Sequence, residues 1–324
     1  MHSFEELLNI FENRLKEENF LNEPEELYAP IDYTLKLGGK RIRPVLTLMA
    51  CEMFGGNITD AIPQAIAIEL FHNFTLIHDD IMDNAPIRRG KQTVYKKWSP
   101  NIAILSGDTL FALAYQYAQQ ADISILADVL SVFNKTAIEV CEGQQYDLNF
   151  ETRNDVSVEE YVHMIKLKTA VLFGASLKIG AIIGGANSEE ADKLYKFALN
   201  IGLGFQLKDD LLDSFGNESI FGKKTGGDIL SNKKTFLYLK ALELADTDSK
   251  RKLIDLYNSN DYSEEKKISS VQSIFSNLKI IELTEKEIDT YFEAAIIDLN
   301  SLELSNEVKA ELFDLAFKMI HRDI

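Results

Sequence analysis

The placement of prolines limits this chain more than any other feature. All six, at positions 24, 30, 44, 63, 86 and 100, lie in the first hundred residues, and none occurs from Asn101 to Ile324. An interior proline costs an α-helix about 3 kcal/mol, so the long proline-free stretch suits long helices. Between Ser157 and Ile183, the residues Val158, Tyr161, Val162, Ile165, Val171 and Leu172 recur near helical spacing. Ser157 with Glu160, and Thr284 with Glu287, carry the letters of capping boxes and are expected at helix starts. No alternating strand pattern and no repeat of solenoid length stands out. The stretches near 214–234 and 257–267 are polar enough to be loops. The expectation is one all-α domain over residues 1–324.

A net charge of −17 argues against broad attraction to nucleic acid or to an anionic membrane. Small anions can still be held by a local basic cluster or by bound cations. The two cysteines, Cys51 and Cys141, give neither a disulfide framework nor paired metal-ligand spacing, which suits a reducing cytoplasm. Residues Met1 to Phe20 carry Glu5, Glu6, Glu12 and Arg14 and contain no apolar signal core. No uninterrupted apolar run reaches the roughly 18 residues of a membrane span, and Lys178 breaks the best candidate, between Val171 and Ala186. A cytoplasmic protein with no stable membrane anchor and no nucleic-acid partner is expected.

Two short segments repeat one pattern, Asp79-Asp80-Ile81-Met82-Asp83 and Asp209-Asp210-Leu211-Leu212-Asp213. On a helix, positions i and i+4 share a face, so Asp79 projects beside Asp83 and Asp209 beside Asp213. Each motif follows an apolar helical stretch, where crowded like charges are costly unless neutralised. Carboxylate oxygens are the hard ligands that Mg²⁺ prefers, and Mg²⁺ is commonly held by a few carboxylates plus substrate phosphates. Solvated acidic helix edges are the bland alternative, and they leave the repeated spacing unexplained. A metal phosphohydrolase built on His78-Asp79 would need more histidine ligands, and only His2, His72, His163 and His321 remain.

The cations cluster as well. Lys40, Arg41 and Arg43 follow Gly38-Gly39, while Arg88-Arg89-Gly90-Lys91 starts five residues after Asp83. Lys168-Thr169 sits in an apolar helical stretch, and Lys223-Lys224 and Lys233-Lys234 flank a glycine-bearing loop. Arginine binds phosphate bidentately and lysine as a point charge, so cations beside acidic motifs in an acidic chain have the character of anion sites.

Taken in order, these motifs resemble the trans-isoprenyl diphosphate synthases (polyprenyl synthetases). The likeness runs from Gly38 to about Thr235, roughly 60% of the 324 residues. It is carried by Gly39-Lys40-x-x-Arg43, by Leu76 to Asp83 with Arg88-Arg89-Gly90, and by Gly107-Asp108, Lys168-Thr169, Gly204-Phe205-Gln206 and Asp209 to Asp213. The resemblance implies a single large helical bundle around a central cavity and a magnesium-dependent prenyltransferase, with about three Mg²⁺ per site. It implies that Asp79, Asp83 and Asp209 coordinate Mg²⁺ on an allylic diphosphate, with Asp80 and Asp213 supporting. Arg88, Lys168, Lys223 and Lys233 would contact that diphosphate, and Lys40, Arg43, His72 and Arg89 would hold isopentenyl diphosphate. Thr169 and Gln206 would line the reacting centre. Family members usually pair as homodimers. One departure is visible: Asn232-Lys233 stands where the family commonly has Gly-Lys.

The family sets product length five residues before the first motif, where bulky groups stop growth. That position is Phe74, with Phe71 about 12 Å from Asp79 along a helix of 1.5 Å rise. Phe74 argues against products of C30 or longer, and the small Thr75 beside it resembles the geranylgeranyl pattern. A linear C20 product is expected, with C15 close behind. A class I terpene cyclase usually replaces the second aspartate motif, and a non-catalytic regulatory subunit typically loses one or both. Both motifs are intact here.

Overall fold

The computed structural model describes residues 1–216, 225–259 and 261–321. In chain order the helices are α1 (Phe4–Glu17), α2 (Glu25–Lys36), α3 (Ile42–Met53) and α4 (Ile58–Met82), then, after a small hairpin, α5 (Val94–Lys97), α6 (Pro100–Ala118) and α7 (Leu126–Thr152). Helices α8 (Val158–Ile165) and α9 (Val171–Gly184) are joined by a π turn, Lys166–Ala170, and α10 (Ser188–Phe215) follows. The remainder comprises α11 (Gly227–Leu230), α12 (Phe236–Leu244), α13 (Thr247–Asn258), α14 (Glu264–Asn277), α15 (Ile280–Asn300) and α16 (Asn306–Ile320). The all-helical expectation holds. Packing groups the chain into two compact units, one of Met1–Lys135, Ala175–Tyr195 and Leu304–Glu311, the other of Thr136–Gly174, Lys196–Glu303 and Leu312–Ile324.

In the first unit, α4 packs on α3 and α6. Its residues Ile66, Ile68, Leu70 and Phe71 are buried around its circumference, as in a helix that runs through a core rather than along a surface. Each such side chain contributes roughly 1.5–3 kcal/mol when fully buried. Asn57 caps its start by accepting from the Thr59 N–H. In the second unit, Phe173 packs against Phe205 with ring centres 5.6 Å apart, and Phe275 is fully buried.

Four details differ from the sequence expectations. Ile87–Arg88 pairs with Lys91–Gln92 as an antiparallel hairpin, turned through Arg89 (φ 52°) and Gly90 (φ 71°). Positive φ at both turn positions is what a tight hairpin requires, and two-residue strands are too short to show alternation. Ser157 and Glu160 do form a capping box at the start of α8, but Thr284 lies inside α15, buried, donating to the Ile280 carbonyl at 2.7 Å. That helix begins four residues earlier, after Lys279 in the left-handed region. The expected loops are also shorter: α10 runs on to Phe215, α11 occupies Gly227–Leu230, and α13 reaches Asn258 before α14 starts at Glu264. Finally, Val158–Gly184 is one helix long and apolar enough to cross a membrane, because the π turn carries it through. The apolar window is 72% buried within the fold, so its apolar surface is already covered by protein.

Candidate active site

The first acidic motif closes α4. Asp83 is the C-cap, still right-handed, with its N–H on the Asp79 carbonyl, so the i, i+4 relation with Asp79 survives at the helix end. Asp80 does not share that face. It is buried, and Arg88 Nε from the hairpin donates to its Oδ1 at 2.8 Å, while Arg88 Nη2 stands 3.6 Å from Asp79 Oδ2. Burial pushes the Asp80 carboxyl up to about 6; Asp79 and Asp83 push the same way and Arg88 opposes them. Asp80 is thus turned toward Arg88, and Asp79 and Asp83 are the more exposed pair.

The second motif, on α10, repeats this arrangement. Asp210 is buried, accepting from the Tyr161 hydroxyl and from Gln206 Nε2, the latter at 3.1 Å. Burial and then the charge of Asp228 hold its carboxyl well above the usual range. Asp213 Oδ1 accepts the Asp228 N–H at 2.8 Å, and Asp209 stays partly exposed. In both motifs the middle aspartate is buried and tied inward, while the outer ones are at least partly exposed. Among the described residues no three His, Cys, Asp or Glu side chains gather as a ready-made metal cage. Pairs of carboxylates suit Mg²⁺, which keeps positions for water and phosphate oxygens.

The basic groups of the first unit converge. Gly38 (φ 75°) and Gly39 (φ 145°) form a loop whose carbonyl at Gly38 accepts from Arg89 Nη1. A Cβ on Gly39 would stand 2.8 Å from the tip of the Arg89 side chain, which would have to shift, and the positive φ itself calls for glycine there. Arg43 Nη1 lies 3.5 Å from His72 Nε2, and Lys40 is exposed. Burial, then Arg43, Arg89, Arg88 and Arg41, hold the His72 imidazole well below its usual range, so it is neutral near pH 7. Arg41 itself is buried and pairs with the buried Glu69 of α4, and its Nη2 donates to the Leu35 carbonyl at 2.6 Å. Asn73 Nδ2 donates to Glu69 at 2.8 Å. Nothing in the basic run sets Arg41 apart from Lys40 and Arg43, and the buried pair shows that it anchors the loop.

Phe74 and Phe71 stand in an aromatic cluster that extends beyond α4 to Phe111, Tyr115 and Phe133. Phe111 of α6 lies 5.1 Å from Phe74 and 5.9 Å from Phe71, Tyr115 lies 5.2 Å from Phe111, and Phe133 closes on Phe71 at 5.6 Å. The i, i+4 spacing of Phe111 and Tyr115 was the available signal. Thr75 donates back to the His72 carbonyl at 2.8 Å. Gly107 is explained by His78, whose ring would sit 2.3 Å from a Cβ there.

In the second unit, Lys168 Nζ donates to Asp147 Oδ2 at 2.6 Å, and Thr169 Oγ1 donates to Gln206 Oε1 at 3.3 Å. Asp147 and Tyr161 were not anticipated, because their partners lie 21 and 49 residues away. Lys233 is exposed after Asn232, whose φ is 58°. Asparagine tolerates that left-handed conformation, which accounts for Asn standing where the family has Gly. Lys234 is spent on the C-terminal end of α7, donating to the Phe150 and Arg153 carbonyls. Lys223 lies outside the described residues.

Helices carrying two aspartate motifs, each with its middle carboxylate buried and its outer ones at least partly exposed, have the character of a helical prenyl synthase. The chain belongs to the polyprenyl synthetase family, matching it over residues 24–275. It is 44% identical over 223 residues to a geranylgeranyl diphosphate synthase of Methanosarcina mazei, covering 68% of each chain. It is 38% identical over 301 residues to a short chain isoprenyl diphosphate synthase of Methanothermobacter thermautotrophicus, covering 92% of each. A crystal structure of a geranylgeranyl pyrophosphate synthase superposes with a TM-score of 0.95 at 44% identity, covering all of both chains.

Proposed function

We propose that this protein condenses isopentenyl diphosphate with dimethylallyl, geranyl and farnesyl diphosphates to give a linear C20 diphosphate, with C15 as the nearest shorter product. The observation that carries the reading is the Phe71–Phe74–Phe111 cluster, built jointly by α6 and by α4, the helix that carries Asp79 in its last turn. Phe74 stands about 7–8 Å along that helix from the motif, which limits how far a growing chain extends. Incubation with isopentenyl and dimethylallyl diphosphates and Mg²⁺, with products separated by chain length, tests it. A cyclic hydrocarbon would indicate a cyclase, and no turnover a regulatory subunit.

The assignment of roles follows the motifs. Asp79, Asp83 and Asp209 would hold Mg²⁺ on the allylic diphosphate, with Asp213 supporting and Asp80 acting from behind through Arg88. Bound there, Mg²⁺ supplies positive charge against the negative charge that develops on the leaving diphosphate. Arg88, Lys168, Lys223 and Lys233 add to that field. Arg43, Arg89, Lys40 and the neutral His72 hold isopentenyl diphosphate, its imidazole accepting or donating a hydrogen bond without adding charge. The allylic C–O bond breaks with its electron pair leaving on diphosphate, the alkene attacks the allylic carbon, and a proton is lost. Released diphosphate takes up that proton, so no strong side-chain base is required. Phe71, Phe74, Leu76 and Ile77 keep water from the carbocation.

Homodimer formation, a cytoplasmic location and one catalytic domain belong to the same proposal. Ile104 and Leu105 leave an apolar stretch of α6 exposed, which suits a second copy of the chain. Cys51 and Cys141 are both free thiols, in keeping with a reducing compartment. The chain passes between its two units five times, at 135/136, 174/175, 195/196, 303/304 and 311/312, which favours a single cooperative domain.

A further inference from the structure

The helix that carries Lys168 and Thr169 interrupts its hydrogen-bond ladder once. In the π turn Lys166–Ala170, the Val171 N–H reaches back five residues to the Lys166 carbonyl. Such a turn is rare and is found most often where a side chain must be aimed. Two neighbouring helices meet it in the same way. On α7, a Cβ added to Gly143 would stand 2.3 Å from the Lys168 nitrogen and 2.7 Å from its Cα. Four residues on, Asp147 accepts from Lys168 Nζ. On α10, a Cβ added to Gly202 would stand 2.7 Å from the Ala170 Cα and 2.8 Å from its Cβ. Four residues on, Gln206 accepts from Thr169 Oγ1 and passes a hydrogen bond to Asp210.

Positions i and i+4 lie on one face of a helix. Each flanking helix therefore offers the turn a glycine, against which the backbone closes, and one turn later a polar side chain for the functional group. Glycine is otherwise a poor choice in a helix interior, and neither position has a positive φ, so backbone conformation does not call for it. Close approach does. The atoms that a methyl would meet are largely main chain, which cannot swing aside as the tip of a long side chain can.

We propose that Gly143 and Gly202 are positioning residues for prenyl transfer, setting the π turn at the depth where Asp147 and Gln206 reach Lys168 and Thr169. The inference rests on the reading that Lys168 contacts the allylic diphosphate and Thr169 lines the reacting centre. A methyl at either glycine pushes the turn away from its helix, and a shift of about 1 Å at a reacting group can cost about a hundredfold in rate.

The test compares Gly143→Ala and Gly202→Ala with Gly184→Ala, a control with a similar main-chain clash, 2.5 Å from the Cys51 carbonyl oxygen in the first unit. Steady-state constants are measured per folded enzyme, with Tm recorded for each variant. The expected result is a ten- to hundredfold fall in kcat for Gly143→Ala and Gly202→Ala, and a change within about twofold for Gly184→Ala at a comparable loss of Tm. A double-mutant cycle then separates positioning from general damage. In a Lys168→Ala background, Gly143→Ala should cost less than about twofold further, and Gly202→Ala likewise in a Thr169→Ala background. Equal fold losses with and without Lys168 or Thr169, or unchanged kcat in both glycine variants, would overturn the proposal. Should Gly143→Ala not fold, Gly202→Ala carries the same prediction, and Ala170→Gly removes part of its clash. If Lys168→Ala and Thr169→Ala themselves leave turnover unchanged, it is the assignment of the reacting centre that fails.

Discussion

Arg41 and His72 show how a single residue's surroundings decide its part. Arg41 is one of three cations in a short basic run, yet it is buried against Glu69 and the Leu35 carbonyl. Breaking a buried pair from one side leaves a charge without its partner and typically costs 3–5 kcal/mol, so Glu69→Ala should destabilise the protein by about that much; urea unfolding measures it. His72 carries a linkage prediction. Its folded imidazole is held well below the ordinary value by burial and then by Arg43, Arg89, Arg88 and Arg41, whereas the unfolded imidazole titrates near about 6.5. Below that pH the unfolded state binds the extra proton. The stability that His72 permits is therefore complete above about pH 6.5 and is lost as pH falls toward the folded value, with a slope of at most about 1.4 kcal/mol per pH unit. His72→Asn should flatten unfolding free energy against pH between 6.5 and 5. Parallel curves for the two proteins would contradict it. None of this was legible in the sequence, where Lys40, Arg41 and Arg43 look alike. Burial separates them, and burial depends on α4, 28 residues away at Glu69.

At the scale of elements, local signals were legible and their limits are physical. The letters Ser-x-x-Glu mark the start of α8, where the Ser157 hydroxyl accepts the Glu160 N–H. Ser157→Ala should cost about 1 kcal/mol, read from thermal or urea unfolding. The letters Thr-x-x-Glu at 284 marked nothing, because Thr284 is buried in the α15 interior and bonds back to Ile280. Packing of the surrounding helix overrode the local pattern. The aspartate motifs were legible as i, i+4 pairs, but the inward turn of Asp80 and Asp210 was not, since Arg88 and Tyr161 come from other elements. Product length also belongs here, because α4 and α6 build the aromatic cluster jointly. Phe74→Ala and Phe111→Ala should each lengthen the product by at least one five-carbon unit, while the single change Thr75→Ser leaves it at C20. Chromatography of the dephosphorylated alcohols would show it, and unchanged length in both Phe variants would remove the cluster from the account.

For the whole molecule, the proline-free run predicted the helical class correctly, because an interior proline costs a helix about 3 kcal/mol; the cost is not a prohibition, since Pro30 and Pro63 stand inside α2 and α4. The ordered motifs identified the family because they recur along the chain in sequence. What the one-dimensional record lacked was which distant residues meet, as with Asp147 and Lys168. The molecule's net charge of −17 also makes a prediction: diphosphate binding should depend on divalent cation as well as on the local arginines. Removing metal with a chelator should abolish turnover, and added Mg²⁺ should restore it, with little change in helix content by circular dichroism. The most direct measurement of the central claim is the product of one incubation with isopentenyl diphosphate, dimethylallyl diphosphate and Mg²⁺. A linear C20 diphosphate as the main product is the predicted result; a cyclic hydrocarbon, a product of C30 or longer, or no elongation would contradict it.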